Sequence, residues 1–227
     1  MNKGKLIVIE GTDGSGKTTQ TKLLIERLQK ENIFAESLRF PQYEKNLFGA
    51  LIRECLDGKH GDFTKIDAKI TSVLYACDRF ETMPQINKWL EEGKIIILDR
   101  YTSSNQIHQG GKLRNYTDME NGNNDRSEFI DWLGKMEYEK LGIKKPDLVF
   151  YLDMPLEVSI DLISKREGIA DAADSDFEYL KNSKEAGKYM LERESFWEKV
   201  DCMDGDSLLN PGQIHEKIWG KVSSLIK

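Results

Sequence analysis

The chain has 227 residues, of which 39% are hydrophobic and 32% are charged. This length suits one folded domain, and the apolar content is too high for a disordered chain. Asp and Glu outnumber Lys and Arg by 39 to 33, so the formal net charge is −6. A protein that binds nucleic acid regardless of its sequence needs a basic surface, so this balance argues against a nucleic-acid partner.

The sequence predicts no membrane association and no disulfide framework. No apolar run approaches the roughly 20 residues that span a bilayer. The first apolar run, Leu6–Ile9, is too short for the core of a signal peptide, which predicts a cytoplasmic protein. The three cysteines, Cys55, Cys77 and Cys202, form no C-x-x-C pair, so they are expected to be small buried hydrophobes.

Short apolar runs along the chain predict β-strands. They are Leu6–Ile9, Ser37–Phe40, Ile95–Leu98 and Leu148–Leu152, with a weaker fifth run at Val200–Met203. These runs do not alternate apolar with polar residues. Unbroken β-branched runs are typical of parallel strands that are buried on both faces.

Helical patterns fill the segments between these strands. They are Lys17–Lys30, Leu47–Leu56, Asp67–Leu90, Glu128–Leu141, Leu156–Arg166, Asp176–Trp197 and Gln213–Ile226. Pro84 is expected to kink or end the third helix. The alternation predicts an α/β fold, in which a doubly wound five-stranded parallel sheet is flanked by helices in a single domain over residues 1–227. The segment Lys112–Asp125 is interpreted as a polar surface loop, and Gly168–Asp174 as a second candidate mobile segment.

One segment has the pattern of a loop that cradles nucleotide phosphates. Gly11-Thr12-Asp13-Gly14-Ser15-Gly16-Lys17-Thr18 matches G-x-x-x-x-G-K-[ST], and it lies between a predicted strand and a predicted helix. Glycines let successive backbone N–H groups point inward, and the helix N-terminus adds its positive dipole end. Lys17 is expected to reach the terminal phosphates, and Thr18 to ligate Mg²⁺, which prefers oxygen. The pattern therefore predicts a nucleoside triphosphate as ligand.

Two other classes of triphosphate-binding protein fit the residues less well. A switch GTPase needs N-K-x-D to read its base, but Asn87-Lys88-Trp89-Leu90 lacks the Asp and lies in a predicted helix. A nucleic-acid motor would be longer and basic on one face. A small-molecule kinase is the leading hypothesis, and it requires a second site for the phosphate acceptor.

The acceptor site is expected next to the phosphate loop. Asp99-Arg100-Tyr101 directly follows the run Ile95–Leu98. Ligand-binding groups cluster beyond the carboxyl ends of parallel strands, so this segment and the phosphate loop should face one crevice. Asp99 would then serve magnesium or its waters, and Arg100 the transferred or acceptor phosphate.

Four motifs in order resemble those of a known family. They are the phosphate loop with Thr19, Phe40-Pro41, Leu74-Tyr75-Ala76-Cys77-Asp78-Arg79, and Asp99-Arg100-Tyr101 with Gln109-Gly110-Gly111. In order and spacing they resemble thymidylate kinases, which transfer a phosphoryl group from ATP to dTMP. The resemblance covers nearly the whole chain. It implies a P-loop NTPase-type fold, Mg²⁺ as cofactor and a homodimer.

The resemblance also implies which residues bind dTMP. Asp13 would lie near the sugar and phosphate, and Phe40-Pro41 would line the pocket. Tyr75 would stack on thymine while Arg79 donates to its O4, contacts that suit an aromatic ring and an arginine. Asn105 would lie beside N3 of the base.

Two positions depart from the family pattern. His108 stands where the family usually has Tyr or Phe against the 2′ carbon, and Gln42 where an arginine often helps to hold the acceptor phosphate. Tyr43 and Arg53 are candidate substitutes for that arginine. The departures leave open a nucleoside monophosphate kinase of different or broader acceptor choice. A deoxynucleoside kinase and a nucleotide-binding regulatory protein without turnover also stay open.

A lid that closes over the ATP phosphates is also implied. The middle of the phosphate loop has no basic residue, and in such members the lid supplies arginines. The lid is placed at about residues 165–176, with Arg166 as its cation and Lys165 behind it. Phe177-Glu178 resembles the aromatic–acid pair that follows the lid. Phe177 would contact dTMP, and Glu178 would help to hold magnesium or the acceptor.

The expected chemistry relies on cations rather than on a strong base. The second pKa of a phosphate monoester is about 6, so the acceptor is mostly dianionic at neutral pH. Catalysis should come from positioning and from neutralising charge on the transferred group. The residues expected to do this are Lys17, Asp99 through Mg²⁺ and water, Arg100 and Arg166.

Overall fold

Five parallel strands form one sheet in the computed structural model, which describes residues 3–113, 125–165 and 177–226. They are β1 (Lys5–Glu10), β2 (Ala35–Arg39), β3 (Ile95–Asp99), β4 (Leu148–Asp153) and β5 (Trp197–Asp201). Their order across the sheet is β2-β3-β1-β4-β5, and every pair is parallel. The prediction of a five-stranded parallel sheet is confirmed.

Helices connect the strands and cover both faces of the sheet. They are α1 (Lys17–Lys30), α2 (Leu47–Leu56), α3 (Ala68–Glu91), α4 (Thr102–Ser104), α5 (Asp125–Gly134), α6 (Leu156–Ser164), α7 (Phe177–Arg193) and α8 (Pro211–Leu225). Helix α4 continues as a π-helix over Asn105–Gln109, and α5 as a π-helix over Lys135–Lys140. No helix in the described ranges is long and apolar enough to cross a bilayer.

The central strand β1 supplies side chains to two apolar layers. Leu6 and Val8 pack into the layer that α3, α5 and α7 cover, whereas Ile7 and Ile9 pack into the layer under α1 and α8. All four side chains are fully buried, and each such burial stabilises the fold by about 1.5–3 kcal/mol. Because both faces are covered, the strand requires the unbroken apolar run that predicted it.

The end of α7 and the strand after it differ from the sequence-based expectation. The helix ends at Arg193, and Trp197 begins β5 instead of ending the helix. Trp197 is buried with its ring 6.2 Å from that of Tyr151 on β4, so packing between strands decides its conformation. Met203 belongs to a small antiparallel hairpin, Met203–Asp204 with Ser207–Leu208, which the apolar pattern did not predict.

Helix boundaries differ in three further places. Pro84 lies inside α3 without ending it, because Met83 and Ile86 anchor the flanking turns in the core. The predicted helix Glu128–Leu141 is divided between α5 and its π-helical continuation. The helical segment after Tyr101 was not predicted, since its polar residues lack an apolar period.

The sheet brings the predicted motifs to one edge. Ile9 on β1 pairs with Asp99 on β3, so the segments that follow these two residues leave the sheet side by side. This is the carboxyl edge, where ligands bind in open parallel sheets. The phosphate loop and the Asp99-Arg100 segment therefore share one crevice.

Candidate functional site

The loop between β1 and α1 has the backbone that an anion cradle needs. Gly16 precedes α1 with φ 92°, and no atom lies within 4 Å of the position that a Cβ would take. Its lack of a side chain leaves the first N–H groups of α1 available to an anion. At Gly14, with φ 82°, a Cβ would come within 2.3 Å of the carbonyl oxygen of Ser159, so only glycine fits against α6.

Lys17 lies buried across this loop. Its Nζ donates to the carbonyl oxygens of Gly11 at 2.9 Å and Thr12 at 2.8 Å, and it lies 3.7 Å from Oδ1 of Asp13. Burial, together with the nearby charge of Arg100, lowers the pKa of the Lys17 ammonium to about 8. The ammonium is therefore still charged at neutral pH, but an anion that binds beside it will raise its proton affinity.

Thr18 and Asp99 form a pair that suits a hard cation. The Thr18 hydroxyl donates to Oδ2 of Asp99 at 2.6 Å. Asp99 is 2% exposed, and its Oδ1 has no hydrogen-bond partner within the described ranges. A buried carboxylate oxygen without a partner, next to a hydroxyl, fits Mg²⁺. The part of the chain that the structure describes contains no group of three or more His, Cys, Asp or Glu residues that could hold a metal alone.

Arg100 joins the phosphate loop to a second cavity. Its guanidinium pairs with Asp13, and its Nη1 donates to Nε2 of His108 at 2.8 Å. Its φ is 69°, a left-handed conformation that costs a residue with a side chain about 1–3 kcal/mol. The Arg100 N–H donates to the carbonyl oxygen of Ile9 at 3.2 Å, which ties this strained residue to β1.

His108 acts as an uncharged acceptor for Arg100. Because an arginine only donates, Nε2 of His108 must accept, and the ring proton is assigned to Nδ1, which lies 3.2 Å from the hydroxyl of Ser183. Burial and the charge of Arg100 lower the pKa of His108 to about 3. The ring also stacks on Tyr179 at 5.6 Å. Helix α7 thereby supports the orientation of Arg100.

A cavity of about 160 Å³ opens beside Arg100. Most of the residues expected to bind dTMP line it, namely Asp13, Phe40, Pro41, Tyr43, Tyr75, Arg79, Arg100, Asn105 and His108. They come from the phosphate loop, from the segments after β2 and β3, from α3 and from the π-helix after α4. The structure therefore brings together residues that the sequence separates by up to about a hundred positions.

Several residues of the expected site lie elsewhere. Phe177 is 47% exposed and outside this cavity, whereas Tyr179 lines it, since residues two apart in a helix point about 200° apart. Arg53 lies on a neighbouring groove, with its guanidinium 4.0 Å from the ring centre of Tyr43. Glu178 is exposed on the first turn of α7.

The predicted lid lies almost entirely outside the described residues. Arg166 and residues 167–176 fall there, as do residues 114–124 of the predicted polar loop. Lys165 is described. It is 68% exposed and pairs with Asp161 at 2.6 Å on the surface of α6, so it does not reach the crevice in this structure.

Two buried carboxylates support the site and were missed from the sequence. Glu10 ends β1 and accepts hydrogen bonds from the Gly11 N–H at 3.0 Å and from the hydroxyls of Ser103 and Ser104 at 2.7 Å. The sequence did contain a signal for Glu10, because it is an acidic residue at the end of an unbroken apolar strand. Glu137 accepts two hydrogen bonds from Arg79, each of 2.8 Å, and no local pattern marks it.

Comparisons with known proteins point to one family. Residues 9–204 match the family model of thymidylate kinase. A probable thymidylate kinase from Thermococcus kodakarensis is 35% identical over 166 residues, which are 71% of this chain and 72% of that protein. The thymidylate kinase of Homo sapiens is 31% identical over 68% of this chain and 63% of its own. The solved structure of thymidylate kinase from Candida albicans covers 98% of this chain and 92% of its own, with a TM-score of 0.74 and 25% identity.

Proposed function

Because this chain belongs to the thymidylate kinase family, we propose that it transfers the γ-phosphoryl group of ATP to dTMP, giving dTDP and ADP in the synthesis of dTTP. One observation carries the assignment of residues. Asp13 of the phosphate loop pairs with Arg100 of the acceptor cavity and lies 3.7 Å from Nζ of Lys17. The two cations therefore lie on either side of one carboxylate, where the two phosphate groups must meet.

The donor and acceptor phosphates approach each other between these cations. Lys17 and the N–H groups of the loop hold the ATP phosphates, while Arg100 holds the acceptor phosphate and the group in transfer. The acceptor is mostly dianionic at neutral pH, because its second pKa is about 6, so the site needs no strong base. Positioning and charge neutralisation supply the rate enhancement.

We place Mg²⁺ at Thr18 and Asp99, with Asp99 acting through water. The support is the unpartnered, buried Oδ1 of Asp99 beside the Thr18 hydroxyl. When bound, the ion would neutralise charge on the phosphates of ATP. Thr18 and Asp99 would hold the ion, whose preference for oxygen ligands also suits the phosphates of ATP.

Tyr75 is expected to hold the base by stacking. It lines the cavity from α3, with its ring 6.2 Å from that of Phe63. Tyr75→Ala should raise the KM for dTMP by about 10- to 100-fold, as expected for a lost base–aromatic contact. The KM for ATP should stay within twofold, and Tyr75→Phe should behave like the wild type. Steady-state kinetics with each substrate varied in turn checks this, and an equal rise in both KM values would contradict the stacking role.

The acceptor is tested by measuring ADP release with a panel of dTMP, dUMP, UMP, CMP, AMP and thymidine. The highest kcat/KM is expected with dTMP. Turnover of thymidine alone would indicate a deoxynucleoside kinase. Equal use of several monophosphates would indicate a broader acceptor choice, and no turnover with any of them would contradict enzymatic function.

We also propose that the chain forms a homodimer through α3 and the start of α2. Large apolar side chains lie exposed there, with Leu47 74% exposed, Ile70 64% and Phe80 51%. Exposed apolar residues clustered on adjoining helices mark an interaction surface. Sedimentation should give twice the monomer mass for the wild type and a monomer for Phe80→Glu. A monomeric wild type would contradict this proposal.

A further inference from the structure

Glu137 lies behind the base-binding end of the acceptor cavity. It belongs to the π-helix Lys135–Lys140, is 1% exposed, and is not part of the cavity lining. Its carboxylate accepts hydrogen bonds from two residues that do line the cavity. Oε2 accepts from Nε of Arg79 at 2.8 Å, and Oε1 accepts from Nη2 of Arg79 at 2.8 Å and from Nδ2 of Asn105 at 2.9 Å.

These contacts fix which end of the Asn105 amide a ligand can reach. Nδ2 of Asn105 donates to Glu137 and also to the carbonyl oxygen of Ser72 at 3.1 Å. An ionised carboxylate and a backbone carbonyl only accept, so the NH₂ group must lie on this side. Both of its protons are then used. Asn105 therefore offers the cavity its carbonyl oxygen, a hydrogen-bond acceptor.

Arg79 is held by the same carboxylate but offers the opposite polarity. Nε and Nη2 donate to Glu137, and Nη1 donates to the carbonyl oxygen of Tyr101 at 3.2 Å. An arginine has five N–H donors and no acceptor. Its remaining N–H groups, on Nη1 and Nη2, can only donate to a ligand. Glu137 thus sets a donor and an acceptor side by side.

We propose that Glu137 is the positioning residue that makes the cavity select a 4-oxopyrimidine over a 4-aminopyrimidine, without contacting the base. Thymine presents an acceptor at O4 where cytosine presents an NH₂ donor, and their N3 positions are likewise opposite. A donating Arg79 beside an accepting Asn105 complements thymine and opposes cytosine at both positions. The inference rests on the proposed function, because it concerns the acceptor base of the same cavity.

A purely structural role for Glu137 explains less of the geometry. A buried carboxylate that only neutralised Arg79 would need the two-bond contact and nothing more. The third hydrogen bond, from Asn105, joins the second base-reading side chain to the same carboxylate. Through that bond, one carboxylate holds both the position of Arg79 and the orientation of the Asn105 amide.

Glu137→Gln tests the proposal, since it keeps the shape but turns one acceptor into a donor. The amide keeps one accepting oxygen in place of two, so it must lose either the hydrogen bond from Nε of Arg79 or the two bonds that Oε1 accepts from Arg79 and Asn105. The ratio of kcat/KM for dTMP to that for dCMP is expected to fall by about tenfold or more, mainly through a higher KM for dTMP. The KM for ATP should not change. Steady-state kinetics with both acceptors gives the ratio.

Asp131→Asn is the matched control. It removes the ion pair with Arg193 at the surface of α5 and touches no residue of the cavity lining. Its dTMP-to-dCMP ratio should equal that of the wild type. The double variant Glu137→Gln with Asn105→Ala should have a dTMP-to-dCMP ratio no lower than that of the worse single variant. The effects should not add, because both changes remove the same contact between Asn105 and N3 of the base.

Thermal unfolding measurements distinguish a variant that has lost its fold from one that has lost only its acceptor specificity. If Glu137→Gln does not fold, Glu137→Asp keeps the charge but withdraws it by one methylene, and it should lower the same ratio. A lower unfolding temperature with an unchanged ratio and an unchanged KM for dTMP would overturn the proposal. A wild type that does not phosphorylate dTMP would instead refute the proposed function, so the two failures are distinguishable.

Discussion

Lys17→Ala is expected to lower kcat by about 1,000-fold, the scale seen when one preorganised group that meets developing charge is removed. The lysine is the only side-chain cation of the phosphate loop, and it lies buried with its Nζ 2.8 Å from the carbonyl oxygen of Thr12. Alanine leaves the glycine conformations and the N–H groups in place. ATP should therefore still bind, although weakly, and the loss should fall chiefly on the chemical step.

Stability measurements separate this effect from unfolding. Burial lowers the pKa of Lys17 to about 8, so the unfolded chain holds this proton more tightly than the folded chain does. Burying the charged lysine therefore lowers the free energy of unfolding. This cost is fully present below pH 8 and disappears as the pH rises from about 8 to 10.5. Lys17→Ala removes the penalty, so its unfolding temperature at pH 7 should be at or above that of the wild type.

The same pKa predicts that ATP binding weakens at high pH, which gives the pH profile of the Kd an alkaline limb. Above about pH 8 the free enzyme loses the Lys17 charge, so the Kd for ATP should rise about tenfold per pH unit. Lys17→Arg stays charged and should show no such limb. Titration calorimetry between pH 7 and pH 9.5 measures both. Turnover near the wild-type rate in Lys17→Ala, or an alkaline limb that persists in Lys17→Arg, would refute the assignment.

Arg100→Ala should lower kcat by about 100- to 1,000-fold, because an arginine that contacts the group in transfer stabilises its charge. Its guanidinium pairs with Asp13 and donates to His108, so its position is fixed before substrate arrives. Arg100→Lys keeps the charge but cannot make both contacts from one planar group, so its kcat should lie between those of the wild type and Arg100→Ala.

The pH dependence of ATP binding, used above for the Lys17 variants, also tests Arg100→Ala. The charge of Arg100 helps to lower the pKa of Lys17, whereas Asp13 raises it. Without the guanidinium, the Lys17 pKa should rise, and the alkaline limb of ATP binding should move to higher pH. A change confined to the KM for dTMP, with kcat and the limb unaltered, would show that Arg100 only binds the acceptor.

The sequence was sufficient where structure depends on local pattern. The phosphate loop follows from its glycines and from its place between a strand and a helix, both readable within one short segment. The parallel sheet follows from unbroken apolar runs such as Ile95–Leu98. Arg100 could be placed beside the loop because the carboxyl ends of parallel strands meet at one edge.

The sequence was insufficient where contacts join distant segments. Glu137 lies 58 positions from Arg79, and only the packing of the π-helix against the cavity brings them together. Tyr179 replaces Phe177 in the lining because residues two apart in α7 point about 200° apart. His108 was recognised as unusual, but its role as an acceptor for Arg100 depends on α7 behind it.

The left-handed backbone of Arg100 stores strain at the residue that meets the acceptor phosphate. A glycine at this position would adopt φ 69° without steric cost, but it would also remove the ion pair with Asp13 and the hydrogen bond to His108. Relief of the strain is therefore opposed by the loss of these contacts, and the cation that serves the reaction is lost with them. Efforts to engineer a hardier enzyme from this chain should leave position 100 fixed and seek their gains on surfaces away from the crevice.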